Sequence, residues 1–466
     1  MRGSEFILKN FRPVINNLLK DRVFYKNLFS IAVPIIVQYF ISTSLNMVDT
    51  VMIGYMGETQ IAAVGIANQV FNLYSIFLFG ICSGCSIFIS QFWGKKDIDN
   101  IKHVVEVMIS STLVISILFT FAARVFSEEI ISIFNGENEI LFYGSKYLKL
   151  VSLSYTFTAI TFCFSFSLRC IEKAVYPMMI STIALLSNTF LNYVLIFGNF
   201  GFKAMGVEGA ALATVIARFI ELVLITVIIY KKNNILAPGF NNMFNVNGVL
   251  LKNIYRTTIP VLLNEVCWGV ANTIYSVAYG RIGKEAIASI QISSTIHQLF
   301  GIFCFGIANA SAVMIGKRIG AGDENEGREY AHRFVVLSIV TGIVVGLMIV
   351  ASGPFTLTFF KVSERVLMDS YAVLKIISLV MPLRIFNIVL IVGVLRGGGD
   401  TKRAFIIEAS TMWFIGVPLA FIGALVFKLP IYGVVAFTTL EEVGKFILCA
   451  YRLASGKWMK NLVKSL

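Results

Sequence analysis

Apolar runs long enough to cross a bilayer recur from one end of this chain to the other. A backbone placed in hydrocarbon must satisfy its own hydrogen bonds, which leaves helices and closed barrels as spanning structures. A helix needs about 20 apolar residues to cross. By that rule the sequence predicts twelve helical spans, near 28–54, 61–92, 101–123, 140–168, 175–198, 206–230, 254–280, 286–316, 333–352, 365–395, 403–426 and 431–452. Several are longer than a bilayer requires and should tilt or project beyond it. Only 14% of residues are charged and 57% are hydrophobic, whereas about a quarter of the residues of a soluble domain are charged. The expected class is therefore an all-α integral membrane protein.

The spans are not independent. Gly57–Asp97 and Gly283–Asp323, laid over each other without a gap, share 13 of 41 residues, among them Phe77/Phe303, Gly80/Gly306, Gly94/Gly320 and Asp97/Asp323. The same offset of 226 pairs Pro34 with Pro260, and an offset of 227 pairs Leu168-Arg169 with Leu395-Arg396 and Gly206-Val207 with Gly433-Val434. A near-constant offset over most of a chain is an internal duplication. Six spans per copy return the chain to its starting side, so the two six-helix lobes should be related by a parallel pseudo-twofold axis along the membrane normal. That plan occurs among secondary transporters, and two such lobes would frame a central cleft open to alternating access.

The domain plan follows: 1–27 a cytoplasmic N-terminal segment that begins with MRGSEF, which reads as an expression-vector scar; 28–231 the N-lobe; 232–252 a linker; 253–454 the C-lobe; 455–466 a tail. Placing the termini, the linker and the loops after even-numbered spans on one side gives that side roughly two thirds of the 39 basic residues, which makes it cytoplasmic. The net charge of +13 is thus a topology signal. No basic face with interleaved aromatics points to nucleic acid. Cys82 and Cys85 have CxxC spacing but apolar neighbours and no second pair, so they read as small residues that ease helix packing. There are three histidines, no HExxH and no GxxxxGK[ST], so the residues point away from an enzyme and from ATP as the driver.

Charged side chains inside spans are the informative ones, because hydrocarbon disfavours them by several kcal/mol unless they are paired or hydrated. Asp49 in span 1 has no basic residue within a turn. It could carry a proton, help coordinate a hard cation through oxygen, or simply be hydrated at its helix end. Asn188 and Asn192 in span 5 share a helix face at i, i+4 and either line a pocket with Asp49 or fix helix packing. Glu265 in span 7 is a lone acid at mid-depth in the second lobe. Gln38, Tyr39 and Thr214 in the first lobe, and Asn264, Gln291, His297, Arg384 and Asn387 in the second, complete the candidate cleft lining. Arg384 could instead pair with Glu265. Arg218/Glu221, and Lys445 with Glu441 or Glu442, read as structural pairs; Glu408 has no evident partner. Arg396-Gly-Gly-Gly-Asp400 reads as a cytoplasmic turn.

Six motifs, in order, are VDTVMIGYMG at 48–57, IAAVG at 61–65, QFWGKKD at 91–97, NTFLNYVLIFG at 188–198, MGVEGAALAT at 205–214 and LRGGGDT at 395–401. With them the chain resembles the multidrug and toxic compound extrusion (MATE) family of cation-coupled antiporters over essentially 28–455. The resemblance implies a monomeric cell-membrane exporter of organic, cationic amphipathic drugs, driven by inward H⁺ or Na⁺ and needing no cofactor. It carries the coupling acid onto Asp49, the polar pocket onto Asn188 and Asn192, and a further acid onto Glu265, with any Na⁺ held at these residues. The family's LRxxG turn reads Leu168-Arg-Cys-Ile-Glu172 here. A lipid-linked saccharide flippase of similar two-lobe plan is the alternative; it should show a strongly basic cleft.

Overall fold

A computed structural model describes residues 21–232, 234–239, 248–464 and 466. Segment 1–20, with the expected vector scar, and the linker positions 233 and 240–247 lie outside the described residues. All regular structure among the described residues is helical. In chain order the helices are α1 (Arg22–Gly54), α2 (Glu58–Lys95), α3 (Ile98–Val125), α4 (Ser127–Ser132), α5 (Asn138–Val151), α6 (Ser154–Cys170), α7 (Val175–Phe197), α8 (Gly206–Lys232), α9 (Gly248–Gly280), α10 (Lys284–Gly320), α11 (Glu324–Leu357), α12 (Glu364–Ile388), α13 (Thr401–Thr411), α14 (Val417–Phe421), α15 (Ile431–Thr438) and α16 (Leu440–Ala454). π-helical segments Val389–Leu395, Met412–Gly416 and Ile422–Val426 carry α12 on to Leu395 and α13 and α14 on to Val426.

Each predicted span falls on one of these helices or on a broken pair. Among the described residues nine helices are long and apolar enough to cross a membrane, and α5 with α6, bent by 48° at a short break, makes a tenth. The last two spans stand apart for physical reasons. In α9 the polar Asn264, Glu265 and Asn272 dilute the apolar run. The final span breaks at Thr439 into pieces of 8 and 15 residues, each short of a bilayer's thickness. Breaks of this kind are tolerated at membrane depth where other protein groups take up the freed backbone.

The duplication is written into the backbone as well as the sequence. Gly57 and Gly283 both have positive φ (133° and 142°), as do Lys96 and Gly322 (62° and 88°) and Glu172 and Gly399 (63° and 79°). The same turns therefore recur at offsets of 226 and 227. A left-handed conformation is easy for glycine and costs another residue roughly 1–2 kcal/mol, yet the first copy uses Lys and Glu there. The change of offset is also localised. Helices α5 and α12 begin 226 residues apart, but Leu168 and Leu395 are 227 apart. One extra residue enters inside that span, and the wide turns of Val389–Leu395 take it up without ending the helix.

Two compact units emerge. Among the described residues one holds Val33–Ile89 and Asp97–Leu262; the other holds the chain from position 21 to Ala32, Ser90–Lys96 and Leu263–Leu466. In the first unit a core of Tyr74, Leu78, Leu148, Tyr155, Ala210 and Ala211 is closed to solvent, and the Tyr74 hydroxyl donates to the Tyr155 carbonyl at 2.7 Å. The described part of the linker is packed: Leu236 is fully buried and the Gly239 amide donates to Glu106 Oε1 at 3.1 Å. In the second unit the tail is docked. Trp458 is 1% exposed and Val463 is buried, while Gln91 donates to the Lys460 carbonyl and accepts from the Leu462 amide.

Candidate functional site

The first unit brings four candidates together. Asn192 Nδ2 donates to Asp49 Oδ1 at 2.5 Å and to Asn188 Oδ1 at 3.0 Å. Asn188 Nδ2 donates in turn to Thr214 Oγ1 at 3.4 Å. The i, i+4 spacing on α7 puts both amides on one buried face, and α1 and α8 supply the acid and the hydroxyl. No ion pair reaches Asp49 among the described residues, and Asn192 Oδ1 is buried without a hydrogen-bond partner. The arrangement offers one carboxylate and several neutral oxygens. That donor set suits a proton or a hard monovalent cation and gives a multivalent ion too little charge. Among the described residues no group of three or more His, Cys, Asp or Glu could hold a metal.

Gln38 and Tyr39 belong to a separate set in the same unit. Arg169 Nη2 donates to Gln38 Oε1 at 2.6 Å, and its guanidinium lies over the Tyr39 ring. Gln38 Nε2 donates to Ser181 Oγ at 3.0 Å, Ser181 to Glu221 Oε1 at 3.2 Å, and Arg218 to Glu221 Oε2 at 2.8 Å. Arg218 and Glu221 form the pair their spacing predicts. The CxxC cysteines are free and buried; Cys82 Sγ lies 4.0 Å from Cys163 Sγ and Cys85 Sγ 3.8 Å from Thr258 Oγ1.

In the second unit Glu265 is paired, though not with Arg384. Arg396 Nη2 donates to Glu265 Oε1 at 2.6 Å, and Arg396 is 2% exposed. Arg384 lies instead 3.7 Å from Glu442, which also accepts from Asn387 Nδ2 at 2.8 Å. Glu408 gains the partner that the sequence did not show: Asn264 Nδ2 donates to its Oε2 at 2.8 Å. Lys445 pairs with Glu441 at 2.6 Å, and the Tyr275 hydroxyl donates to the same carboxylate. Gln291 is exposed on α10 and His297 half-buried, and among the described residues neither is hydrogen-bonded through its side chain to these clusters. The glycine turn proves to be buried: Asp400 is 0% exposed and accepts from Arg452 and Lys460.

The MatE family description matches this chain twice, at residues 34–194 and again at 260–422, two copies whose starts lie 226 residues apart. The chain belongs to the MATE family. It is a multi-pass membrane transporter, not a member of an enzyme family. It is 26% identical over 99% of its length, and 98% of the relative's, to a probable multidrug resistance protein NorM of Thermotoga maritima. It is 25% identical over 86% of its length to the multidrug resistance protein MdtK of Pectobacterium atrosepticum, covering 88% of that protein. Among solved structures it resembles an outward-facing multidrug resistance MATE transporter, with a TM-score of 0.85 at 18% identity, covering 95% of this chain and 98% of the other. A eukaryotic MATE transporter gives a TM-score of 0.82 at 17% identity, covering 96% and 99%. These structural likenesses carry the MATE fold of two repeated six-helix lobes.

Two buried arginines of this MATE-family chain, Arg169 and Arg396, escape a search for charges inside spans because they sit at the ends of apolar runs. The signal that finds them is the duplication itself. Leu168-Arg169 and Leu395-Arg396 recur at one offset, and a loop residue exposed to water has no reason to be so placed.

Proposed function

We propose that the chain is a secondary active multidrug efflux antiporter, exporting cationic amphipathic compounds in exchange for H⁺ or Na⁺ by alternating access, as a monomer with both termini cytoplasmic. The observation that carries the reading is Asp49: a spanning-helix carboxylate with no ion pair among the described residues, held by the amide of Asn192. An acid spared neutralisation by a fixed base can alternate between a proton or metal cation and an organic cation, which is what exchange requires. The names of the relatives support drugs as the cargo. Glu265, tied to Arg396, serves chiefly to compensate that buried charge. A saccharide-lipid flippase would need several free bases for its pyrophosphate; Arg218, Arg384, Arg396 and Lys445 each face an acid, and of these buried or in-span bases and Arg169, only Arg169 has no ionic partner among the described residues.

The test is efflux of a fluorescent cation from proteoliposomes with ΔpH and ΔNa⁺ imposed separately. Wild-type protein should export under one gradient at least, and Asp49→Asn should fall to the level of empty liposomes under both. Full transport by Asp49→Asn would sink the assignment, and the gradient that drives wild type names the coupling ion.

A further inference from the structure

We propose that Arg169 and Gln38 form a carboxylate-binding site in the first unit, distinct from the Asp49 centre and independent of how transport is coupled. Arg169 is 7% exposed, and of its three guanidinium nitrogens Nε and Nη1 are buried without a hydrogen-bond partner among the described residues. The third donates to the neutral amide oxygen of Gln38. The connected set of Arg169, Gln38, Ser181, Glu221 and Arg218 holds two guanidinium groups and one carboxylate, and that carboxylate is taken by Arg218. A positive charge is left over in a buried place, where an uncompensated ion is disfavoured by several kcal/mol.

Stacking does not remove the surplus. The guanidinium carbon lies 5.0 Å from the Phe166 ring centre and 5.7 Å from that of Tyr39. Such faces attract a cation, but they are at most weak acceptors for its N–H groups. The second half shows what satisfies the position. Its arginine, Arg396, has a carboxylate of its own in Glu265. There the two roles are split: Asn264 donates to position 408 and Glu265 neutralises the arginine. In the first half Gln38 alone does both, donating to position 181 and accepting from Arg169, so the negative charge is the part that is missing. A planar guanidinium with free N–H groups selects a planar carboxylate over a spherical halide. The carboxylate could be a free small acid or the acidic group of a zwitterionic cargo.

The experiment is thermal unfolding of the purified full-length protein in detergent, wild type against Gln38→Glu and Arg169→Gln. The probes are sodium acetate, the aromatic zwitterion 4-(trimethylammonio)benzoate, and its methyl ester, which keeps the cation and loses the acid, with sodium chloride at matched ionic strength. Wild type should gain at least ~2 °C with one of the acids. A rise with acetate identifies a free acid; a rise with the zwitterion and none with acetate identifies the acid group of a larger ligand. Gln38→Glu supplies the charge from within, so its ligand-free midpoint should rise and its response vanish. That variant keeps Arg169, so it decides the matter even where Arg169→Gln does not fold. No response of wild type to either acid, an equal response to the ester or to chloride, or a response that survives in Gln38→Glu would each overturn the proposal.

Discussion

The two halves of this transporter share a pair of buried bases and differ in the acids around them. Arg169 and Arg218 of the first half recur as Arg396 and Lys445 in the second, each at an offset of 227. The acids around these bases do not recur. Asp49 of the first half aligns with Tyr275, Thr214 with Glu441, and Ser181 with Glu408. The second half is consequently closed in on itself, with Arg396, Arg384 and Lys445 all facing carboxylates. At the matching first-half positions Arg218 is paired with Glu221, while Arg169 and the acid Asp49 have no ionic partner among the described residues. Within one duplicated plan, then, the carboxylates stand beside the bases in the second half, and in the first half Asp49 and Arg169 stand apart.

The sharpest way to break that contrast is to remove one member of a second-half pair. Glu265→Gln leaves Arg396 buried without its ion, and losing one partner of a buried pair costs about 3–5 kcal/mol. Its unfolding midpoint should drop by many degrees, and an unchanged midpoint would mean that the second half is not the settled one. Asp49→Asn should do the reverse, removing cation efflux while moving the midpoint little, since no ion pair is broken. A large loss of stability there would make Asp49 structural.

Smaller effects sharpen the picture. Tyr275→Phe withdraws the phenol that donates to Glu441. A hydrogen bond to a charged group is worth about 1.5–3 kcal/mol, so a clear fall in midpoint should follow with the Lys445 pair intact. The analogous test of the turns is Glu172→Gly, which gives the first copy the residue that Gly399 supplies in the second. It should stabilise by about 1 kcal/mol, and a loss would show that the Glu172 side chain outweighs its backbone strain. Smallest is the pH effect at Asp21, just before α1. Its bond from Arg333, 2.5 Å long, and the Phe24 amide hold its carboxyl below the usual value of 3.8. A lowered carboxyl stabilises the fold above that value, and the contribution fades as pH falls further. Asp21→Asn should match wild type in strong acid and be slightly less stable near neutrality, read from the midpoint across pH.

The candidate site was legible in parts. Isolation in an apolar run found Asp49, and i, i+4 spacing found Asn188 and Asn192, because helical periodicity converts sequence distance into a shared face. Partners from different helices were beyond that logic. Nothing local says that Glu265 meets Arg396, 131 residues on, instead of Arg384. Nor does anything local say that Glu408 meets Asn264, or that a polar tail would bury Trp458. Gln291 and His297 were singled out by their chemistry alone, and among the described residues no hydrogen bond joins their side chains to the second-unit clusters.

What the sequence determined by itself was the class and the plan. Hydrocarbon length fixes the spans, and an offset held near 226 over the chain fixes two like halves, because both are properties of a single line of residues. The tertiary structure decided how charge is distributed. Whether a buried ion is settled or left for a ligand depends on which side chains from distant helices converge within about 3 Å. Two halves built on one repeated plan can answer that question differently through the residues that differ between them.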